Sequence, residues 1–153
     1  MVPRAYLEYL FQFHRRRDYY ECHEILENHW KSEGRKNGIW VGLIQVAAAL
    51  HHYRRGNGKG AGKLIEKSLF RLSGKEEALK RLGFDSGKFL SLLEQTRENI
   101  RKGRPYQDVD LPLTDPGVRR EYEEYARKRE REEGEREPAG GVRKTGEGEA
   151  PRK

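Results

Sequence analysis

Apolar residues recur at helical spacing along almost the whole chain, and no segment alternates steadily between apolar and polar residues. Spacings of three and four residues are typical of helices that bury one face, whereas alternation would indicate half-buried strands. The pattern therefore predicts an all-α fold, a single bundle of five or six helices.

Capping signals divide the chain into these helices. Asp18, followed three residues later by Glu21, predicts the N-cap and capping box of a second helix. Asn57 predicts the cap of a fourth. The expected helices begin near Pro3, Asp18, Ile39 and Asn57, cover about 75–82 and 85–102, and end with one from Pro116.

The third helix, about residues 39–55, is apolar nearly all the way round over 39–50. A helix of this kind must be surrounded by other helices. Gly42 and the alanines at 47–49 are small enough to let neighbouring backbones come close. We expect this helix to be the centre of the bundle.

Composition changes sharply at residue 128. Residues 128–153 contain one aliphatic side chain larger than alanine, Val142, and no aromatic residue. Such a segment cannot bury enough apolar surface to offset the entropy of ordering it. The sequence therefore predicts a helical domain over 1–127 and a charged, disordered tail over 128–153.

Charge and cysteine content narrow the class of protein. The net charge of +7 favours anionic partners at long range. Cys22 is the one cysteine, which excludes a disulfide framework and a cysteine-rich zinc site. The apolar run over 39–50 is too short to span a bilayer, and the N-terminus does not resemble a signal peptide. We expect a cytoplasmic protein without membrane association, and the dense mixed charge suits a thermophile.

The most informative polar residues lie on the second and third helices. At about 100° per residue, His23 and Glu27 fall at the edge of the apolar arc of the second helix, beside Trp30, while Glu24 should point away from the core. Gln45 and His52 share one stripe of the third helix.

If the two helices pack antiparallel, His23 and Glu27 would face Gln45 and His52. Three interpretations are open: a structural hydrogen-bond network, a small-molecule pocket with Trp30 as its apolar wall, or a metal site. The segment "HEILE" differs from the "HExxH" of zinc proteases because Glu27 replaces the second histidine.

Two further sites come from basic residues. The glycine-rich "GNGKGAGK" does not fit a phosphate loop, because it follows a helix and Leu64 stands where serine or threonine is required. The start of the fourth helix, with Asn57, Lys59 and Lys63, is nevertheless a candidate anion-binding end. The cluster over 14–18, with Arg35, Lys36, Arg54 and Arg55, would form a basic face without a known nucleic-acid motif.

Two blocks, "DYYECHEILENHW" and "GLIQVAAALHHYRRGNGKGA", resemble domain-of-unknown-function family 309, small helical proteins of bacteria and archaea. The resemblance covers about a third of the chain, and departs from the family pattern at 15–17. It implies an all-helical bundle without an established activity. It also implies that Glu24 is more than a surface residue.

The preferred hypothesis is a binding or interaction module with no cofactor, whose ligand-binding residues are His23, Glu24, Glu27, Trp30, Gln45 and His52. One alternative is a metal-dependent hydrolase, with the ion on His23, Glu27 and His52 and with Glu24 as general base. A second is nucleic-acid binding through the basic face. An exposed aromatic face on the first helix would allow a homodimer.

Overall fold

The computed structural model describes residues 1–140, with side chains through residue 134. Its fold is all-α, as predicted, and residues 1–140 contain no β-strand. Within these residues there are seven α-helices and one π-helical turn; each of the seven expected helical segments forms a helix, one or two more than the five or six expected for the bundle. They are α1 Arg4–Phe11, the π-helical turn Gln12–Arg16, α2 Tyr19–Ser32, α3 Gly38–Arg54, α4 Gly58–Leu72, α5 Glu76–Arg81, α6 Ser86–Arg101 and α7 Pro116–Gly140.

The predicted helix caps are confirmed. The side chain of Asp18 accepts a hydrogen bond from the backbone N–H of Glu21 at 3.0 Å, and Asn57 accepts one from Gly60 at 3.0 Å. Each bond satisfies an amide that the first turn of a helix leaves unpaired. Because the cap fixes where α2 begins, it also fixes which α2 side chains face α3.

Helix α3 lies at the centre of the fold, between α2 and α4. Gly42 permits the close approach to α4, since a Cβ atom added there would come within 2.4 Å of Leu72 Cδ2. Within residues 1–140, no helix combines the length and the apolar character needed to cross a membrane.

The aromatic residues of α1 are buried in the core, so the exposed face predicted for a homodimer does not exist. Tyr6 and Tyr9 are fully buried, and their hydroxyls donate to backbone carbonyls at 2.6 Å and 2.9 Å. These bonds tie α1 to Leu82, after α5, and to Leu43 in α3. The aromatic side chains of α1 therefore stabilise the fold of the chain itself.

The segment between α6 and α7 is extended, as its prolines predict, and is held to the start of the chain. His14 Nε2 accepts a hydrogen bond from the backbone N–H of Leu111 at 3.0 Å. The guanidinium of Arg17 donates to Val109 O and to Asp110 Oδ1. These contacts bury Leu111 and fix where α7 begins.

Helix α7 continues across residue 128, the predicted domain boundary, and returns along α1. Arg129 forms an ion pair with Glu8 at 2.9 Å, and both side chains are only 18% exposed. Glu130 pairs with Arg15 at 2.8 Å. The other half of the predicted disordered tail, residues 141–153, lies outside the described residues.

Candidate functional site

Three ionisable side chains meet on one face of α2. His23 Nε2 lies 3.2 Å from Glu27 Oε1, and both side chains are about one-third exposed. One ligand atom from each of His23, Glu24 and Glu27 can be chosen so that all three atoms lie within 4.8 Å of one another. We call these residues the α2 cluster.

The helix itself produces this arrangement. Glu27 lies four residues after His23 and three residues after Glu24, and side chains at both spacings are neighbours on a helix surface. Glu24 was expected to point away from the core, yet it is half-buried and belongs to the cluster. Its position agrees with what the family resemblance implied.

Two ring contacts show how α2 packs against α3. The ring centroids of Tyr20 and His51 are 6.3 Å apart, and those of His29 and Trp40 are 5.2 Å apart. The start of α2 thus meets the end of α3, and the end of α2 meets the start of α3. The helices run antiparallel, as the short connection predicted.

The same contact gives the level of the α2 cluster along α3. Both helices rise about 1.5 Å per residue and run in opposite directions. Counting three residues from the Tyr20–His51 contact, forward along α2 and backward along α3, puts His23 level with Ala48. Counting seven residues puts Glu27 level with Ile44. Ile44, Ala48 and His51 lie within about 60° of one another on α3 and are half-buried. We call this surface, between the α2 cluster and that flank of α3, the α2–α3 groove.

Two predicted site residues lie on the other flank of α3. His52 Nδ1 accepts a hydrogen bond from Asn57 Nδ2 at 3.0 Å, at the start of α4. Gln45 is rotated only about 20° from His52, so it shares that flank. Among the described residues, no hydrogen bond or ion pair joins either side chain to the α2 cluster, and Gln45 Oε1 is buried without a partner.

His51, not His52, therefore faces α2. Its Nδ1 atom is buried and has no hydrogen-bond partner in the described part of the chain. Burial lowers the pKa of His51, the neighbouring His52 and Arg55 lower it further, and Asp18 opposes them. One signal for this placement was present in the helical periodicity, since His51 shares the face of Ile44.

Trp30 lies one turn beyond the cluster, where the guanidinium of Arg35 stands 5.8 Å from its ring centroid. A second histidine–glutamate pair closes α2, with His29 Nε2 3.0 Å from Glu33 Oε2. Glu33 also accepts a hydrogen bond from Trp40 Nε1 at 2.9 Å. This pair has the spacing of His23 and Glu27 but no third ligand atom nearby among residues 1–134.

Within the predicted basic face, the arginines at 15–17 are paired with acidic residues of the fold. Arg15 pairs with Glu123 and Glu130, and Arg16 pairs with Glu133. Arg17 pairs with the loop before α7. The arginines at 15–17 therefore fasten the C-terminal part of the chain to its start.

The predicted anion-binding end has two exposed lysines, Lys59 and Lys63. Asn57 occupies one backbone amide of the first turn of α4 with its own side chain. Its amide nitrogen is engaged with His52. Asn57 thus acts here as a helix cap joined to the end of α3.

Two concave regions lie away from the α2 cluster. One, of about 670 Å³, lies between the N-terminus, the end of α5 and the start of α7. The other, of about 450 Å³, lies between α1, Ile25 of α2 and α7. Neither contains a residue of the predicted site.

Sequence similarity to known proteins identifies the family of the chain but not its function. Residues 6–64 match the sequence model of the family described as "Domain of unknown function (DUF309)". An uncharacterised protein of Bacillus subtilis, YpuF, is 43% identical over 117 residues, which cover 75% of this chain and 67% of that protein.

An uncharacterised protein of Aquifex aeolicus is 30% identical over 91 residues, 58% of this chain but only 26% of that longer protein. No solved structure matches the chain significantly. The family match covers α1 to the first half of α4, and so includes the whole α2–α3 groove. The chain belongs to the DUF309 family.

Proposed function

We propose that the protein is a binding module whose site is the α2–α3 groove, and that a divalent metal ion held by His23, Glu24 and Glu27 is part of its ligand. The observation that carries the proposal is the convergence of three ligand atoms within 4.8 Å. Imidazole and carboxylate groups together suit zinc, iron or manganese.

Electrostatics support this assignment over a structural ion pair. Glu24 and Glu27 are three residues apart, a spacing at which like charges destabilise a helix by a few tenths of a kcal/mol, about 0.2–0.5. Lys31, with Nζ 3.7 Å from Glu27 Oε2, offsets part of that repulsion. A divalent cation between the carboxylates would turn the repulsion into attraction.

Ligands that all come from α2 would leave the side of the ion toward α3 open. Ile44, Ala48 and Trp30 border that side and could form the apolar wall for a small polar molecule bound to the ion. A metal-dependent hydrolase would need the same ion to activate water. Because both functions require the ion, metal binding is the property that tests them together.

The test is calorimetric titration of untagged protein with Zn²⁺ and with Mn²⁺. The wild type should bind one ion, and Glu24→Gln should weaken binding at least tenfold, because an amide is a poorer ligand than a carboxylate. Glu33→Gln is the matched control, since it alters the other histidine–glutamate pair of α2 and should leave affinity unchanged.

Either of two results would overturn the proposal. In one, the wild-type protein takes up neither ion at millimolar concentration. In the other, Glu24→Gln binds as tightly as the wild type, so that the bound ion is held elsewhere.

A further inference from the structure

We infer that His51 of α3 supplies a fourth ligand to the same ion, so that the site bridges two helices. This inference rests on the proposed metal site and adds a residue outside the convergent set on α2. It also replaces the role predicted for His52, whose imidazole is directed toward α4.

Few side chains on the flank of α3 that faces the α2 cluster could donate a further ligand to the metal ion. Ile44 and Ala48, level with Glu27 and His23, have no donor atom in their side chains. Gln45 and His52 lie on the flank next to α4. On this side of α3, His51 is the residue near the cluster that can bind a metal ion.

The distances allow the contact after one side-chain rotation. His51 is level with Tyr20, so it lies three residues, about 4.5 Å along the axis, from the level of His23. Packed helices are about 8–10 Å apart, a gap that two imidazoles from facing helices can close. The ring of His51 now lies against Tyr20 and would turn about χ1 toward His23.

The ring is also available for this contact. Within the described residues His51 makes no side-chain hydrogen bond, and its buried Nδ1 has no partner, so rotation breaks no such bond. His52, by contrast, would lose its bond to Asn57.

A fourth ligand from α3 has a structural consequence. Three ligands on α2 alone would leave the packing of α2 and α3 independent of the ion. A ligand on each helix makes the ion a cross-link between them, so ion binding should stabilise the α2–α3 pair beyond a local effect on α2.

Adjacent histidines provide the matched test. Zn²⁺ affinity is measured for the wild type, His51→Ala and His52→Ala, and the absorption spectrum of the Co²⁺ form is recorded for each. His51→Ala should weaken Zn²⁺ binding at least tenfold and alter the Co²⁺ d–d bands, whereas His52→Ala should match the wild type in both.

The outcomes separate this inference from the proposed function. Absence of binding by the wild type defeats both. Binding that depends on Glu24 but is unchanged in His51→Ala, or equally weakened in His52→Ala, overturns the role of His51 alone. If His51→Ala does not fold, the imidazole ¹⁵N resonances of His51 in the wild type decide: they should shift on Zn²⁺ addition, and unchanged resonances would contradict the inference.

Discussion

Two glutamate-centred clusters differ in how fully their oxygens are satisfied. In the first, Glu8 accepts hydrogen bonds from Gln12 at 2.8 Å, from Arg129 at 2.9 and 3.0 Å, and from the hydroxyl of Tyr125. We call these four residues the α1–α7 clamp. Its acceptor positions are occupied by donors from two helices, so it has no capacity left for a ligand.

The α2 cluster is the opposite case. Glu27 is contacted by His23 and Lys31, and no hydrogen bond or ion pair to Glu24 is present in the described residues. The side chains of Glu8 and Arg129 in the clamp are each 18% exposed, while those of His23 and Glu27 in the α2 cluster are about one-third exposed. A polar cluster that the fold satisfies serves stability, and one left unsatisfied beside a groove is available for binding.

The ionisation of Glu8 reflects the same difference. Burial alone would raise the pKa of Glu8, but hydrogen bonds from Arg129, Tyr125 and Gln12 outweigh it and lower the pKa. The carboxylate therefore stabilises the fold above its unfolded pKa, and that stabilisation is lost as pH falls through the lower, folded value. Acid should loosen the attachment of α7 to α1.

The largest effect is expected from Glu8→Gln. The change leaves the half-buried guanidinium of Arg129 without its main counter-charge, which should lower the free energy of unfolding by about 2 kcal/mol, less than for a fully buried pair. Urea denaturation measures it. Glu98→Gln, which removes a surface partner of Arg101 and Lys102, is the control and should lower it far less, because surface ion pairs contribute little to stability.

A smaller effect on the free energy of unfolding is expected from His14→Gln. Unlike His51, His14 has a hydrogen-bond partner at both ring nitrogens. Its Nδ1 donates to Leu10 O at 3.2 Å and its Nε2 accepts from Leu111 N. Losing the partner of that buried amide should lower the free energy of unfolding by about 1 kcal/mol at pH 7. An unchanged denaturation midpoint would contradict this role.

The same histidine makes stability depend on pH. Burial and the nearby Arg17 lower the pKa of His14, and Asp110 only partly opposes them. The unfolded state therefore binds the proton first, and stability should fall as pH drops from about 6.5, the unfolded pKa, through the lower folded pKa. His14→Gln should reduce this slope, and the remainder reflects groups such as His51. A slope unchanged by the substitution would rule out His14 as its source.

The smallest effect is expected from Glu27→Gln in metal-free protein. An exposed i, i+4 pair contributes about 0.3–0.5 kcal/mol, and removing one of two neighbouring carboxylates offsets part of that loss. Thermal unfolding without metal should place this variant within about 0.5 kcal/mol of the wild type. A loss as large as that from Glu8→Gln would make the α2 cluster a structural network.

Local signals predicted the parts of the fold that depend on nearby residues. Asp18 and Asn57 cap the helices that the sequence assigned to them, and Gly42 allows the close packing expected of α3. Helical periodicity also placed His23 and Glu27 side by side. Each of these features is decided within a few residues along the chain or by the surface of one helix.

The features that the sequence did not predict depend on distant parts of the chain. Glu8 and Arg129 are 121 residues apart, and the charge of the segment after 128 favoured a tail over a packed helix. Whether His51 or His52 faces α2 depends on which flank of α3 is taken by α4. Periodicity gives the angles between residues of one helix, but not the direction of its neighbours.

The most direct test of the contrast between the two clusters is thermal unfolding of the wild type and Glu27→Gln, each with and without Zn²⁺. At a free Zn²⁺ concentration 100 times the dissociation constant, the wild type should gain about 2.7 kcal/mol, and the variant should gain almost nothing. Equal gains in the two proteins, or no gain in the wild type, would contradict the assignment of the α2 cluster as a metal-binding site.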